Sequence, residues 1–276
     1  MICYTILIRL KNDRIMEDLP MKLFTRELTN TVTRAFNFSA DTASHEEIRD
    51  RILSGGQVTG TNMCILICAI VIASVGLNTG STAVIIGAML ISPLMGSILA
   101  MAYAVASADF PRFRRHVYGL LLQLIISGSV STAYFLLSPI NAPSSELLAR
   151  TQPSAYDVII ASFGGLAGII GTTRKEKANN VIPGVAIATA LMPPVCTCGY
   201  ALAHAKWTML AGAAYLFLVN SYFIFLSAVL ILDIQKIPRV SNLTHKQWRR
   251  LRTKMIRNTL IVLLPIIPLT IMMLRD

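Results

Sequence analysis

The sequence predicts an all-α membrane protein, a polytopic helix bundle made of two inverted three-helix repeats and a seventh helix. Three observations predict this fold class: long uncharged apolar blocks, basic residues confined to alternate connections, and an internal repeat. Hydrophobic residues make up 54% of the chain and charged residues 14%, with a mean hydropathy of +0.60. Because soluble domains carry about 25% charged residues, this composition disfavours a water-soluble fold.

Apolar blocks without charges are the first element of the prediction. A hydrocarbon core about 30 Å thick requires a helix of about 20 apolar residues, and an isolated strand would leave its backbone donors unpaired in lipid. The blocks are 63–77, 82–106, 117–140, 158–171, 181–203, 207–232 and 259–274. The seventh block contains two prolines, and the sequence leaves open whether it crosses the membrane fully.

Basic residues fall on one side of the predicted membrane. The segment before span one and those between spans two and three, four and five, and six and seven hold 22 of the 25 Lys and Arg. The positive-inside rule therefore predicts a multi-pass protein of the cell (inner) membrane with a cytoplasmic N-terminus. This distribution accounts for the net charge of +11, so membrane lipids are expected as partners and nucleic acid is not.

An internal repeat follows the order of the spans. IASVG at 72–76 recurs as IASFG at 160–164, and IGAMLISPL at 86–94 aligns with IATALMPPV at 187–195, an offset of 101 that matches proline to proline. Three spans reverse the direction of the chain, so a second copy must enter the membrane from the opposite side. Inverted repeats of this kind build mid-membrane sites in transporters.

The predicted organisation has five parts. They are a short cytoplasmic N-terminal segment (1–57), the first repeat (58–141), the inverted second repeat (142–234), a basic cytoplasmic segment (235–258) and the seventh helix (259–276).

Prolines inside spans two and five mark the candidate functional site. Proline removes one helical hydrogen bond and frees a carbonyl, which can coordinate a cation or a polar substrate, although a simple kink has the same sequence signature. The candidate substrate-binding residues are Ser92, Pro93, Pro193, Pro194, Thr197 and Asn220. Other polar side chains expected to meet these breaks, or to bond between helices, are Gln123, Ser127, Ser131, Thr132 and Ser221.

Metal, cofactor and enzyme chemistry have weak support in the sequence. Cys64, Cys68, Cys196 and Cys198 lie within predicted spans without a matching set of His or Met ligands, so no metal and no cofactor are predicted. The first six spans contain no Asp, Glu, Lys or Arg at depth, which disfavours a proton-coupled transporter. Paired acids or an activated nucleophile are not apparent either, so the protein is predicted not to be an enzyme.

Two long motifs resemble a known family. VGLNTGSTAVIIGAMLISPLMG at 75–96 closely resembles the domain-of-unknown-function 389 family of hydrophobic integral membrane proteins, and GVAIATALMPP at 184–194 matches its second hallmark. The similarity spans about residues 46–232. It implies the membrane fold rather than an activity. Members often carry a larger cytoplasmic N-terminal domain, which looks shortened here.

The predicted function is a membrane transporter or channel for a small solute or ion, with its site at the proline-broken centres of spans two and five. The alternative is a non-transporting membrane scaffold or lipid-binding protein, and an intramembrane enzyme is a weaker third. A polar, water-accessible cavity between the two breaks would favour transport, whereas dry apolar packing there would favour a scaffold. A homo-oligomer is compatible with the sequence.

Overall fold

The computed structural model describes Thr31 and residues 41–175, 181–240 and 245–266, with the backbone alone for residues 181–190 and 245–252. The chain divides into two units, residues 1–42 and 43–276. Most of the predicted N-terminal segment, residues 1–30 and 32–40, lies outside the described residues, as do 267–274 of the seventh block.

The second unit is α-helical throughout its described regular structure. Among its described residues the helices are α1 (His45–Gly55), α2 (Gly60–Thr79), α3 (Thr82–Ile91), α4 (Leu94–Ala106), α5 (Phe110–Leu137), α6 (Ser145–Ala149), α7 (Ala155–Thr173), α8 (Val181–Ala203), α9 (Trp207–Ile234) and α10 (His245–Leu263). The predicted all-α class is confirmed for this part of the chain.

Side-chain caps explain where several helices begin. Ser44 accepts a hydrogen bond from Glu47 N at the start of α1, and Thr59 accepts one from Asn62 N at the start of α2. At α7, Ser154 and Asp157 cap one another reciprocally. Each cap satisfies a backbone N–H that has no partner within its helix.

Most of the predicted spans correspond to helices of membrane-crossing length. Among the described residues α2, α5, α7 and α9 are long and apolar enough to cross a bilayer, and the bent pair α3–α4 makes a fifth candidate. The block 181–203 coincides with α8, whose residues Leu191–Ala203 form a shorter apolar helix on their own. Helix α10 enters the seventh block and ends at Leu263. Several apolar helices of this length indicate a multi-pass membrane protein.

Spans two and five differ in a way that the prolines did not predict. Span two is interrupted at Ser92–Pro93, where α3 and α4 meet at 48°. Helix α8 instead runs unbroken through Pro193 and Pro194, so the predicted break in span five is wrong. A proline removes only the hydrogen bond from its own nitrogen to the carbonyl of residue i−4. The i→i−4 bonds of the flanking turns are enough to keep the helix continuous.

Helix α8 lies at the centre of the bundle. It contacts α2, α3, α4, α5, α7 and α9, while α9 also packs against α4 and α7, and α5 against α2 and α4. Large apolar side chains face outwards, including Leu121, Ile125, Leu136, Phe163 and Leu230. An outward apolar surface of this extent is what lipid-facing helices present.

Hydrogen bonds between connections define one end of the bundle, which we call the α1 end. Ala43 N donates to Thr173 O and Val240 N donates to Ser107 O, each at 2.8 Å. Gln235 Nε2 donates to Thr173 Oγ1 at 2.9 Å. The connections after α4, α7 and α9 therefore meet beside α1.

The remaining connections meet at the opposite end, which we call the α6 end. Thr82 Oγ1 donates to Glu146 Oε1 at 2.9 Å, and the Tyr200 hydroxyl donates to Asn141 O at 2.7 Å. The chain thus passes between the two ends six times, through α2, α3–α4, α5, α7, α8 and α9. Consequently α2 starts from the α1 end and α7 from the α6 end.

Candidate functional site

The buried face of α5 is polar, although the helix is apolar overall. Four of its five buried residues carry polar side chains, and we call them the polar stripe: His116, Gln123, Ser127 and Ser131. The fifth is Phe135. From His116 to Ser131 the stripe rises about 22 Å, at about 1.5 Å per residue, compared with a hydrocarbon core about 30 Å thick.

Neighbouring helices supply hydrogen-bond partners to the stripe. Ser97 of α4 donates through Oγ to Gln123 Oε1 at 2.9 Å. Ser131 Oγ lies 3.1 Å from Ser74 Oγ of α2 and donates to Cys196 O of α8 at 3.0 Å. Ser74, Ser97 and Ser131 are completely buried. One polar network therefore joins α2, α5 and α8, and a second joins α4 and α5.

Three buried hydroxyl groups have no hydrogen-bond partner within the described part of the chain. They are Ser127 Oγ of the stripe, Thr197 Oγ1 of α8 and Ser221 Oγ of α9. Leaving a buried hydroxyl unpaired costs about 1–3 kcal/mol. These groups are therefore available to hydrogen-bond a polar molecule inside the bundle.

The Ser92–Pro93 break is half-buried and locally satisfied. Ser92 Oγ accepts from Leu94 N at 3.5 Å, and Pro93 O accepts from Gly96 N at 3.2 Å. These contacts connect the break to the first turn of α4.

Pro193, Pro194, Thr197 and Asn220 are all buried, the first three on α8 and the last on α9. Helices α3, α4 and α9 each pack on α8, so the structure brings the elements that carry the predicted site together. On α8, the flanking residues Met192 and Cys196 belong to a buried apolar cluster that also contains Met89 and Leu94. The stripe on α5, with Ser74 and Ser97, supplies the polar groups nearby.

The sequence predicted roles for Gln123, Ser127 and Ser131, but not for Ser97, the partner of Gln123, or for Ser74, the partner of Ser131. Single serines in apolar runs give no periodic signal, so their roles depend on packing between helices. Thr132, also named from sequence, instead bonds Gly128 O of its own helix at 2.7 Å.

An aromatic cluster ends the stripe at the α6 end. Tyr200 is fully buried and lies edge-on to Phe135, with ring centroids 5.1 Å apart, and stacks on His204 at 4.3 Å. Lys206 Nζ donates to the Tyr200 hydroxyl at 3.0 Å. At the α1 end, His116 Nδ1 lies 3.2 Å from Gly56 O. Side chains therefore close the stripe at both ends.

The turns after α4 and after α8 have matching geometry. Asp109 N donates to Ala104 O, and Lys206 N donates to Ala201 O, both at 2.8 Å. Ala108 and Ala205 occupy the left-handed region, with φ of 58° and 52°. Each number in the second turn is 97 higher than its counterpart, and the sequence YAVASA at 103–108 corresponds to YALAHA at 200–205.

The following helices keep the same register. Helices α5 and α9 have 28 residues each and begin at Phe110 and Trp207, again 97 apart. Turns of this kind are common at helix ends, whereas the shared sequence and equal length are specific. The offset of 97 is one helical turn shorter than the offset of 101 suggested by the prolines, and Pro93 then aligns with Ala190.

Gln123 and Asn220 become equivalent in this register. Each is the fourteenth residue of its 28-residue helix, and each is buried, with 1% and 4% of its surface exposed. The two long helices therefore carry one buried amide each at their midpoints. Beside Gln123 stands Ser97, whose counterpart at this offset is Pro194.

Two cavities open at the α1 end. One of about 320 Å³ lies between α1, α4 and the end of α7, and one of about 830 Å³ lies between the α1–α2 connection and the start of α5. Neither cavity is lined by Ser92, Pro93, Pro193 or Pro194. Among the described residues no three His, Cys, Asp or Glu side chains group as metal ligands.

Comparison with known proteins gives a family. The family described as "Domain of unknown function (DUF389)" matches residues 89–226, half of the chain. An uncharacterized protein of Methanocaldococcus jannaschii is 30% identical over 172 residues, which cover 62% of this chain and 52% of that protein. The chain thus spans about half the length of that curated relative. No solved structure gives a significant match. The chain belongs to the DUF389 family.

Proposed function

We propose that the protein is a membrane transporter or channel for a small polar solute or ion, with its pathway along the polar stripe. The polar, buried face of α5 is the observation that carries this proposal. Inward polar residues can also bond between helices, but Ser127 Oγ of the stripe has no hydrogen-bond partner within the described part of the chain, while Leu121 and Ile125 face outwards. A pathway through lipid, in contrast, requires polar groups on the inside.

The internal symmetry supports the same proposal. Two three-span halves that start from opposite ends, in a register of 97 residues, are the arrangement of inverted-repeat transporters. Gln123 and Asn220 lie at equivalent midpoints, where such proteins hold their substrates. Apolar packing around the two proline sites, where neither described cavity lies, is what the scaffold alternative predicts. The proposal therefore rests on the stripe, Thr197 and Asn220 rather than on two broken helix centres.

The chemistry of the stripe limits the solute. Between its ends the described side chains offer hydroxyl and amide groups, which are neutral donors and acceptors. They suit a neutral polar solute, or an ion coordinated by neutral oxygens, better than proton coupling through a buried acid. Closure by Phe135 and Tyr200 at the α6 end favours a gated pathway over a permanently open pore.

Flux into vesicles tests the proposal. Thr197→Val removes a buried hydroxyl and keeps the shape of the side chain. We expect the variant to be at least as stable as the wild type, yet to lose about tenfold in turnover, the equivalent of one hydrogen bond to the solute. The assay measures uptake by proteoliposomes across a panel of neutral solutes and ions, with the thermal stability of each variant.

Ser129→Ala is the matched control, because Ser129 is an exposed hydroxyl on the same helix as the stripe. It should leave uptake unchanged. Wild-type vesicles that take up none of the panel, or a Thr197→Val variant that transports normally, would favour the alternative of a non-transporting scaffold or lipid-binding protein.

A further inference from the structure

The larger cavity at the α1 end has no part in the polar stripe beyond its rim at His116. It lies between the α1–α2 connection and the first turns of α5, and its volume of about 830 Å³ falls within the range of small-molecule sites, about 300–1,000 Å³. Its lining includes Thr59, Arg112, Arg115, Tyr118 and Leu122. We propose that this cavity binds the phosphate headgroup of an anionic phospholipid.

Charge is the first reason. Arg112 Nε pairs with Asp109 Oδ2 at 3.3 Å, so this acid is already matched within the cavity wall. Arg115 is exposed and makes no ion pair with any described residue. The lining therefore carries one arginine in excess, and a guanidinium group binds phosphate oxygens in a bidentate manner.

Helix direction is the second reason. Helix α2 begins at Gly60, next to the lining residue Thr59, and α5 begins at Phe110, between the lining residues Asp109 and Pro111. Both helices thus start at the cavity. The N-terminus of a helix carries a partial positive charge. Asp109 already caps α5 by accepting from Arg112 N at 3.1 Å, so the N-terminus of α2, together with Arg115, is what favours a further anion.

The apolar side of the cavity selects a lipid over free phosphate. Tyr118 and Leu122 line the cavity and, with Ile125 one turn further on, form an exposed face; Tyr118 is 61% and Ile125 65% exposed. Along α5 the arginines therefore give way to exposed apolar side chains just past Arg115, with a tyrosine at the boundary. Tyrosine is enriched at this level of a membrane, where headgroups meet acyl chains. A headgroup in the cavity would place its acyl chains along this face.

Thermal unfolding of the purified protein in detergent tests the site. The probes are dioctanoyl phosphatidylglycerol, dioctanoyl phosphatidylcholine and inorganic phosphate. We expect the anionic lipid to raise the unfolding temperature of the wild type at lower concentration than either other probe. Arg115→Gln should weaken this protection about tenfold, since it removes a charge-assisted hydrogen bond.

Arg114→Gln is the matched control, because Arg114 is a neighbouring exposed arginine that does not line the cavity. It should keep the wild-type response. Tyr118→Ala should weaken protection by the lipid and leave the weak response to phosphate unchanged. Arg115→Glu provides a second variant, which should abolish protection by the anionic lipid while folding normally without it.

Three outcomes would overturn the proposal. Equal losses in Arg114→Gln and Arg115→Gln would indicate diffuse attraction to the basic surface. Protection by inorganic phosphate at the same concentration as the lipid would indicate a free-phosphate site. Equal protection by phosphatidylcholine would indicate that the cavity does not distinguish an anionic headgroup from a zwitterionic one. None of these measurements depends on transport, so the lipid site and the proposed transport function can be refuted independently of each other.

Discussion

Individual hydroxyl and amide groups connect the helices of this bundle. Ser131 is the most connected member of the polar stripe, because it contacts Ser74 of α2 and Cys196 of α8 at once. Asn78 of α2 extends the same pattern beyond the stripe, donating through Nδ2 to Ser138 Oγ at 2.6 Å. In lipid no hydrophobic effect drives helices together, and interhelical hydrogen bonds of this kind contribute modestly to their association.

Replacing Ser131 tests its contribution at the residue scale. We expect Ser131→Ala to lower the free energy of unfolding by about 1 kcal/mol, within the range of interhelical hydrogen bonds in membrane proteins. The measurement is reversible unfolding of the purified protein in mixed micelles. Ser129→Ala, on the exposed side of the same helix, should change stability by less than half as much. Equal effects in the two variants would show that the Ser131 bonds add nothing.

The spans themselves were predictable from sequence, and their interruptions were not. The apolar block 63–77 became α2 (Gly60–Thr79), and the long blocks 117–140 and 207–232 became α5 and α9. Proline content suggested two equal breaks. The outcome depends on the neighbouring residues, since Ser92 and Pro93 leave the helix whereas Pro193 and Pro194 stay within it.

The sequence contains two competing offsets between similar segments. Matching prolines gave an offset of 101, whereas the YAVASA and YALAHA segments give 97 without a gap in the chain between them and the long helices. Prolines are conspicuous in a sequence because they perturb helices. A turn at the end of a helix requires particular residues, so the two turn sequences give the more exact offset. The contacts of Ser74 and Ser97 with the stripe could not be predicted from the sequence, because they depend on how three helices are rotated relative to one another.

Close approach of α5 and α8 depends on Gly199. A Cβ atom added there would lie 2.5 Å from Ser131 Cβ and 2.9 Å from Thr132 N, so the backbone of α5 would have to move. We expect Gly199→Ala to destabilise the protein by about 1–3 kcal/mol, the usual cost of overpacking. The free energy of unfolding in mixed micelles measures this cost.

Gly128→Ala is the appropriate control, since a Cβ atom at Gly128 of α5 would meet nothing within 4 Å. Alanine also favours helix over glycine by about 1 kcal/mol, so this variant should match or exceed the wild type. A Gly199→Ala variant as stable as Gly128→Ala would mean that the two helices do not approach as closely as described.

At the scale of the whole molecule, the six passes between the α1 end and the α6 end agree with the distribution of basic residues. Arg51 donates to Arg174 O and, at 3.2 Å, to Lys175 O, so two basic segments meet at the α1 end. The positive-inside rule then predicts that the α1 end faces the cytoplasm.

Cysteine labelling tests this topology. In a background without the native cysteines, Ala142→Cys, at an exposed position of the α5–α6 connection, should react with a membrane-impermeant maleimide added outside intact cells. Arg114→Cys and Arg174→Cys should react only after the membrane is opened. Arg114 lies near the start of α5 and Ala142 lies beyond its end, so they must label from opposite sides. Labelling of Arg174→Cys from outside would contradict both the number of passes and the inversion of the second half.

The polar stripe also constrains how the protein is made. Its partners on α4 and α2 precede α5 in the chain, but Cys196 follows Ser131 by 65 residues. A newly synthesised α5 can therefore pair with Ser97 and Ser74 as it leaves the translocon, while the side that receives α8 stays open. Until α8 is synthesised, lipid is a poor solvent for that side, so α5 should linger beside the insertion machinery. Nascent chains ending before α8 are then the ones that membrane quality control would recognise.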